Sequence, residues 1–334
     1  MRTLRFFSFL MLIASSLIFI QCTHEEHYGP QGETGLDGVD GVDGNAACVM
    51  CHSNEHRAPI YSSYLLSGHA EGGAVSYAGA RADCARCHSN EGYIDFLDGI
   101  EVTEDYVNPT AIGCATCHDS HSTFDFENDG HDYALRKFSP VTLLTDSNYT
   151  IDLGDKSNMC IDCHQPRRTP PEDDGAGMFE VTSSHWGPHH GPQTTLLEGI
   201  QGSAVSGSTS YPGVGTAAHR TGSSCVTCHM NDNEFGTEGL HSWIAATNSS
   251  TCTTCHTNGV PSQVENFYSD METLAAILEN IGIVNDGHPV EGTYTITQAE
   301  AAWNYLLLME DSSNGIHNPN YTKALLRNSI ESLE

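Results

Sequence analysis

Apolar and polar residues fall into four regimes along this chain. Phe6 to Ile20 is an almost unbroken apolar run behind Arg2 and Arg5. Its length suits a secretion signal better than a membrane-spanning helix. From Gly29 to Gly44, glycine recurs at every third position. Residues 48–260 show no sustained period, and their Gly, Ser and Pro content predicts short helices and long loops with little strand. A helical period begins only after residue 261. Phe267 to Ile283 carries Met271, Leu274, Ile277, Leu278 and Ile281 on one face. Thr297 with Glu300 three residues later forms a capping-box pattern for a helix through Met309. Pro319 opens a third helix to about Leu333.

The irregular stretch is punctuated by six copies of Cys-x-x-Cys-His. They are Cys48/Cys51/His52, Cys84/Cys87/His88, Cys114/Cys117/His118, Cys160/Cys163/His164, Cys225/Cys228/His229 and Cys252/Cys255/His256. CxxC pairs also build zinc ribbons, but here every pair is followed by His. That is the attachment signature of c-type haem. Two cysteines form thioethers to the porphyrin, and the adjacent His becomes the proximal iron ligand. The expected cofactors are therefore six covalent haem c groups.

Twelve of the thirteen cysteines lie in these motifs. The other, Cys22, directly follows the apolar run, where a bacterial lipoprotein carries its lipid. Leu17-Ile18-Phe19-Ile20-Gln21-Cys22 resembles a lipobox, with Gln21 in place of a small residue. A plain secretory signal is the alternative. Export fits the haem reading, since c-type haem is attached outside the cytoplasmic membrane. Glu25 and Glu26 resemble a surface-export signal of lipoproteins. The expected location is the outer membrane, facing the periplasm or the cell surface.

The Gly-x-y triplets are collagen-like, because only Gly fits a triple-helix axis. Five triplets with one proline are few for a stable trimer, so an extended spacer is expected. At polyproline spacing it reaches roughly 50 Å. Its Asp-Gly repeats make calcium a candidate ligand, without a known loop pattern. The predicted organisation is a signal (1–21), an anchor and tether (22–47), a hexahaem domain (48–260) and a helical segment (261–334) packing on it.

The haem span allots about 35 residues to each motif, too few for a conventional core apiece. The expected fold is mostly irregular with short α-helices, the haems forming the core and thioethers acting as staples. The formal net charge is −30, with only three lysines (Lys137, Lys156 and Lys323). Such a field disfavours nucleic acid and anionic surfaces.

Nineteen histidines less six proximal ones leave thirteen, of which His24 and His27 lie in the tether. The surplus suggests bis-histidine coordination, which gives low-potential iron. His121 follows His118 too closely to reach the opposite face of the same haem, so it is expected on a neighbour. His69, His219 and His241 are further distal candidates, as is His317 on a helix-start loop. In Ser184-His185-Trp186-Gly187-Pro188-His189-His190-Gly191, His185 is a candidate. His189 and His190 should point different ways, so one of them is expected to ligate. His56, His131 and His288 are weaker candidates. Arg167 and Arg168 are candidates for propionate pairing.

These motifs resemble those of the multihaem c-type cytochromes over residues 48–334. Cys114 to Asp125, Gly187 to Gln193 and Gly315 to Pro319 resemble exported relatives of the nitrite and hydroxylamine redox enzymes. That resemblance implies distal-ligand roles for His121, one of His189/His190, and His317. The pentahaem nitrite reductases carry a Cys-x-x-Cys-Lys haem, and this chain has none. The leading expectation is an electron carrier, with redox proteins or extracellular acceptors as partners and no nucleic acid. An oxidoreductase with one open haem for a nitrogen or sulfur oxyanion is the alternative. A subunit of a cytochrome filament is another.

Overall fold

The computed structural model describes residues 46–334 except 126–127, 129–132, 155, 231–240 and 246–249. The signal, Cys22, the Gly-x-y tether with its calcium candidates, and His131 therefore lie outside the described residues. The chain divides into two units, Met1–Met50 and Cys51–Glu334. Helix α1 (Ala46–His52) contains the division, and every later element belongs to the second unit. No described helix is long and apolar enough to cross a membrane.

Short elements separated by loops make up residues 54–260. Helices α2 (Asn54–Tyr64) and α3 (Gly68–Glu71) are followed by a π-helical turn at Val75–Gly79. Helices α4 (Ala82–His88), α5 (Asn90–Leu97), α6 (Cys114–Cys117) and α7 (Asn158–Ile161) come next. Beyond them lie α8 (Gln193–Glu198), α9 (Ala218–Gly222), α10 (Cys225–His229) and α11 (Ser250–Cys255). Some short helices contain haem motifs, and α2 and α5 directly follow the first and second motifs.

Strand content among the described residues is three two-stranded ladders. Strands β1 (Val141–Thr142) and β2 (Thr150–Ile151) pair antiparallel and cover a small cluster of Val141, Leu143, Ile151 and Ile161. Strand β3 (Met178–Val181) pairs antiparallel with β6 (Gly292–Thr295), and β4 (Val284–Asn285) with β5 (His288–Pro289).

The C-terminal helices α12 (Phe267–Ile281), α13 (Ile296–Asp311) and α14 (Pro319–Leu333) form a conventional core. Leu274, Leu278, Leu307, Leu308 and Leu325 are fully buried there. Val181 and Leu196, from the middle of the chain, join the same cluster. The β3–β6 ribbon stitches the two sequence regions together, so the segment shares its core with residues near 180–200.

Helix α12 ends as its composition dictates. Gly282 takes a left-handed φ of 86°, and its N–H bonds Leu278 and Glu279 carbonyls. Pro319 starts α14 as expected, with the Asn318 side chain capping Tyr321 N–H at 3.2 Å. The start of α13 corrects the sequence reading. The capping box uses Thr295 and Gln298, with reciprocal bonds of 3.3 and 3.0 Å, two residues ahead of Thr297 and Glu300. Strand β6 runs to Thr295, so the ribbon decides which of two overlapping box patterns forms.

Candidate haem sites

A helical turn places Cys i and Cys i+3 on one face, with His i+4 above the first cysteine. The motif backbones do this. The N–H of His118 donates to Cys114 O at 2.9 Å, His164 to Cys160 O at 3.0 Å and His256 to Cys252 O at 2.8 Å. Both sulfurs and the imidazole thus border one flat space. None of the motif cysteines is in a disulfide.

Each motif histidine faces a second histidine from a distant part of the chain. The ring-centroid separations are 6.0 Å for His52–His121, 6.1 Å for His164–His69 and 6.0 Å for His88–His189. They are 6.3 Å for His118–His241, 6.1 Å for His256–His219 and 6.2 Å for His229–His317. Imidazole nitrogen bonds a first-row metal at about 2 Å, and the ring centroid lies about 1 Å further on. Two trans imidazoles therefore place their centroids about 6 Å apart. That separation recurs at every motif. His189 Nε2 is buried with no hydrogen-bond partner, as a nitrogen reserved for a metal would be. The residues present fit a bis-histidine haem at every motif.

Protonation agrees. Burial lowers the His69 and His189 pKa values to about 4, and it also pushes His88, His164 and His229 down. Neutral imidazole is the metal-binding form. His317 differs. Burial opposes its charge, but the Asp311 carboxylate outweighs that and holds its pKa up.

The pairing resolves the Gly187–Gly191 loop. His189 has a φ of 70°, a strained value for a non-glycine residue. This turns His189 toward His88 and leaves His190 to bond Glu310, at 2.7 Å between Nδ1 and Oε2. A Cβ on Gly191 would lie 3.2 Å from Cys163 O, so the loop packs directly on the fourth motif. His185 is in none of the six pairs; its carbonyl accepts from Arg168 at 2.5 Å. Arg167 Nη1 lies 3.8 Å from Cys84 Sγ, beside the second motif.

Two features escaped the sequence. Asp162 and Arg86, variable positions inside the fourth and second motifs, form an ion pair at 3.2 Å. Lys137 joins Asp162 at 2.8 Å and Tyr93 donates to it at 3.0 Å. Cys87 Sγ lies 3.8 Å from Asp162 O, and Cys163 Sγ 3.8 Å from Arg86 O, so these two motifs sit side by side. Trp243 is the other. Its ring contacts His69 at 4.7 Å and His241 at 5.5 Å, while its carbonyl accepts from His229 Nδ1 at 2.7 Å. One residue thus touches the imidazoles of the third, fourth and fifth sites. No spacing in the sequence marks it.

This arrangement, mostly helical and irregular with little sheet, is the fold of the multihaem c-type cytochromes. Among solved structures it is similar to the outer cell wall cytochrome OcwA, with a TM-score of 0.52 and 19% identity over 82% of this chain. This chain spans 50% of that cytochrome's length. An undecahaem cytochrome from the S-layer of Carboxydothermus ferrireducens also matches, at a TM-score of 0.37 and 16% identity, covering 88% of this chain and 38% of its own. No protein-family profile matches the sequence. No curated protein matches it either.

Proposed function

We propose that this protein is a hexahaem electron carrier in which every iron has two histidine ligands. The proximal ligands are His52, His88, His118, His164, His229 and His256. The distal ligands, in the same order, are His121, His189, His241, His69, His317 and His219. The observation that carries the reading is the recurrence of one imidazole separation at all six motifs. When bound, the haems supply one-electron chemistry at iron. The chain's own residues hold the sites near each other and set their potentials through ligands, burial and local charge. Exposed apolar residues in the motif-rich stretch support porphyrin cover: Leu66, Val107 and Phe124 are 72%, 86% and 72% exposed in the bare polypeptide.

A carrier is favoured over an oxidoreductase because all six motif histidines find a partner within the chain. An enzyme of this class needs an open iron position. The filament reading requires histidines to spare, and His185 and His190 are the described candidates from the His-rich loop. Neither is in one of the six ring pairs. An exported, surface-facing location agrees with the similarity to an outer cell wall cytochrome. Lipidation of Cys22 and extension by the Gly-x-y tether would hold the carrier at a membrane surface, where redox proteins or extracellular acceptors are its partners.

The test is haem quantification with carbon monoxide titration of the reduced, matured protein. Six haems per chain and no carbon monoxide adduct are expected. Four or fewer haems would overturn the hexahaem assignment, and one adduct per chain would revive the enzyme reading.

A further inference from the structure

Asp311 ends helix α13 with its side chain fully buried. Its Oδ1 accepts from His317 Nδ1 at 2.6 Å. Its Oδ2 accepts from the Ser313 hydroxyl and, at 3.3 Å, from the Ser313 N–H. Three donors thus converge on one buried carboxylate. His317 is the ring opposite His229, so this negative charge stands directly behind one axial position of the fifth site. The other axial ring, His229, donates to the Trp243 carbonyl at 2.7 Å.

At three other sites the described acceptor is neutral. His118 donates to Tyr133 O at 2.8 Å, His164 to Gln193 Oε1 at 3.0 Å and His219 to Ile316 O at 2.5 Å. The second site has the opposite sign nearby, with the Arg167 guanidinium 3.8 Å from Cys84 Sγ.

We propose that Asp311 is a potential-setting residue that lowers the reduction potential of the fifth haem. Two effects act in the same direction. A carboxylate accepting the Nδ1 proton makes the imidazole more electron-rich, and outer partners of this kind tune a metal. A buried negative charge also favours the ferric centre, which carries one more positive charge than the ferrous one. Reduction adds one electron at iron and moves no other atom.

The consequence is local. Ile316, next to His317, accepts from His219 of the sixth site. The loop between α13 and α14 therefore touches both the fifth and the sixth site.

The inference rests on the bis-histidine reading and is tested by Asp311→Asn, which keeps shape and a hydrogen-bond acceptor but removes the charge. Potentiometry of the matured variant, followed by electron paramagnetic resonance, should show one of six potentials moving up. About a tenfold change in its ferric-to-ferrous ratio is expected, equivalent to about 59 mV for one electron. The other five should stay in place. Ser313→Ala removes a neutral donor from the carboxylate and should move the same haem down. This gives an opposite sign if Asp311→Asn fails to mature. The moving signal should be the one lost in His317→Met. Six low-spin haems with no shift, or a shift at another haem, would overturn this inference and leave the carrier reading standing. A haem count below six would strike the carrier reading instead.

Discussion

Replacing Asp162 by Asn removes the charge from a carboxylate that is 1% exposed and holds two motifs at once. Arg86, from inside the second motif, and Lys137 both point at it, with side chains 24% and 14% exposed. The new amide would turn a donor toward the Lys137 ammonium, which now sits 2.8 and 2.9 Å from the two oxygens. Removing one partner of a buried ion pair costs about 3–5 kcal/mol. The partial exposure of both cations puts the expectation at the lower end, about 3 kcal/mol. Arg86 keeps its place over the Phe96 ring, 3.6 Å from the centroid, which limits its movement. Tyr93 is also left facing a weaker acceptor; burial and the Asp162 charge push its pKa up, so it stays a donor. Guanidinium unfolding of the haem-loaded protein, followed in the Soret band, measures the loss. The triple change Arg86→Met, Lys137→Met, Asp162→Leu supplies the control, because apolar replacement of a whole buried network is often neutral or stabilising. A loss under about 1 kcal/mol in Asp162→Asn would refute the reasoning, as would a triple variant no better than the single one.

Three further outcomes follow from the same geometry. His189→Ala should create one high-spin haem and one carbon monoxide site per chain, while His190→Ala, which loses the Glu310 bond and a ring contact with His189, should create neither; equal behaviour would reject the assignment within this pair. Gly92→Ala places a Cβ 2.4 Å from the Ala85 carbonyl carbon, where α5 crosses the motif helix α4. Overpacking of this kind costs about 1–3 kcal/mol, and a melting point equal to wild type would contradict it. Glu91 is raised by burial but lowered further by the Thr110 hydroxyl and N–H, at 2.6 and 2.8 Å, so its folded pKa lies below the ordinary value. A lowered carboxylate pKa gives stability above the ordinary range that is lost as pH falls through the folded value. Glu91→Gln should therefore flatten the acid limb of a melting-temperature profile, and an unchanged limb would remove Glu91 from the account.

Local chemistry was readable from the chain and long-range closure was not. Cys-x-x-Cys-His is a one-turn device, so its sulfurs and imidazole are placed by the backbone of a single helix. Helices α12 and α14 were likewise written in apolar period and in Pro319. The α13 boundary was ambiguous because Thr295/Gln298 and Thr297/Glu300 both fit a capping box, and only the β3–β6 ribbon chooses. The pairing of histidines lies beyond any local rule. His69 precedes the second motif but faces the fourth, and His219 precedes the fifth but faces the sixth. That His121 would face a site other than that of His118 was legible because three residues cannot span a porphyrin, though the ring it faces, His52, was not. The choice of His189 over His190 rests on one left-handed backbone residue. The core shared by α12–α14 with Val181 and Leu196 was also hidden, because its two halves are far apart in sequence.

In the proposed carrier, every motif histidine has a second histidine across its iron. Near-infrared magnetic circular dichroism of the fully oxidised protein, normalised to haem content, tests it most directly, because the charge-transfer band reports the axial ligand set. Bis-histidine intensity equal to six haems per chain, with no high-spin component, is expected. A high-spin band worth one haem, or a histidine–methionine band, would contradict it.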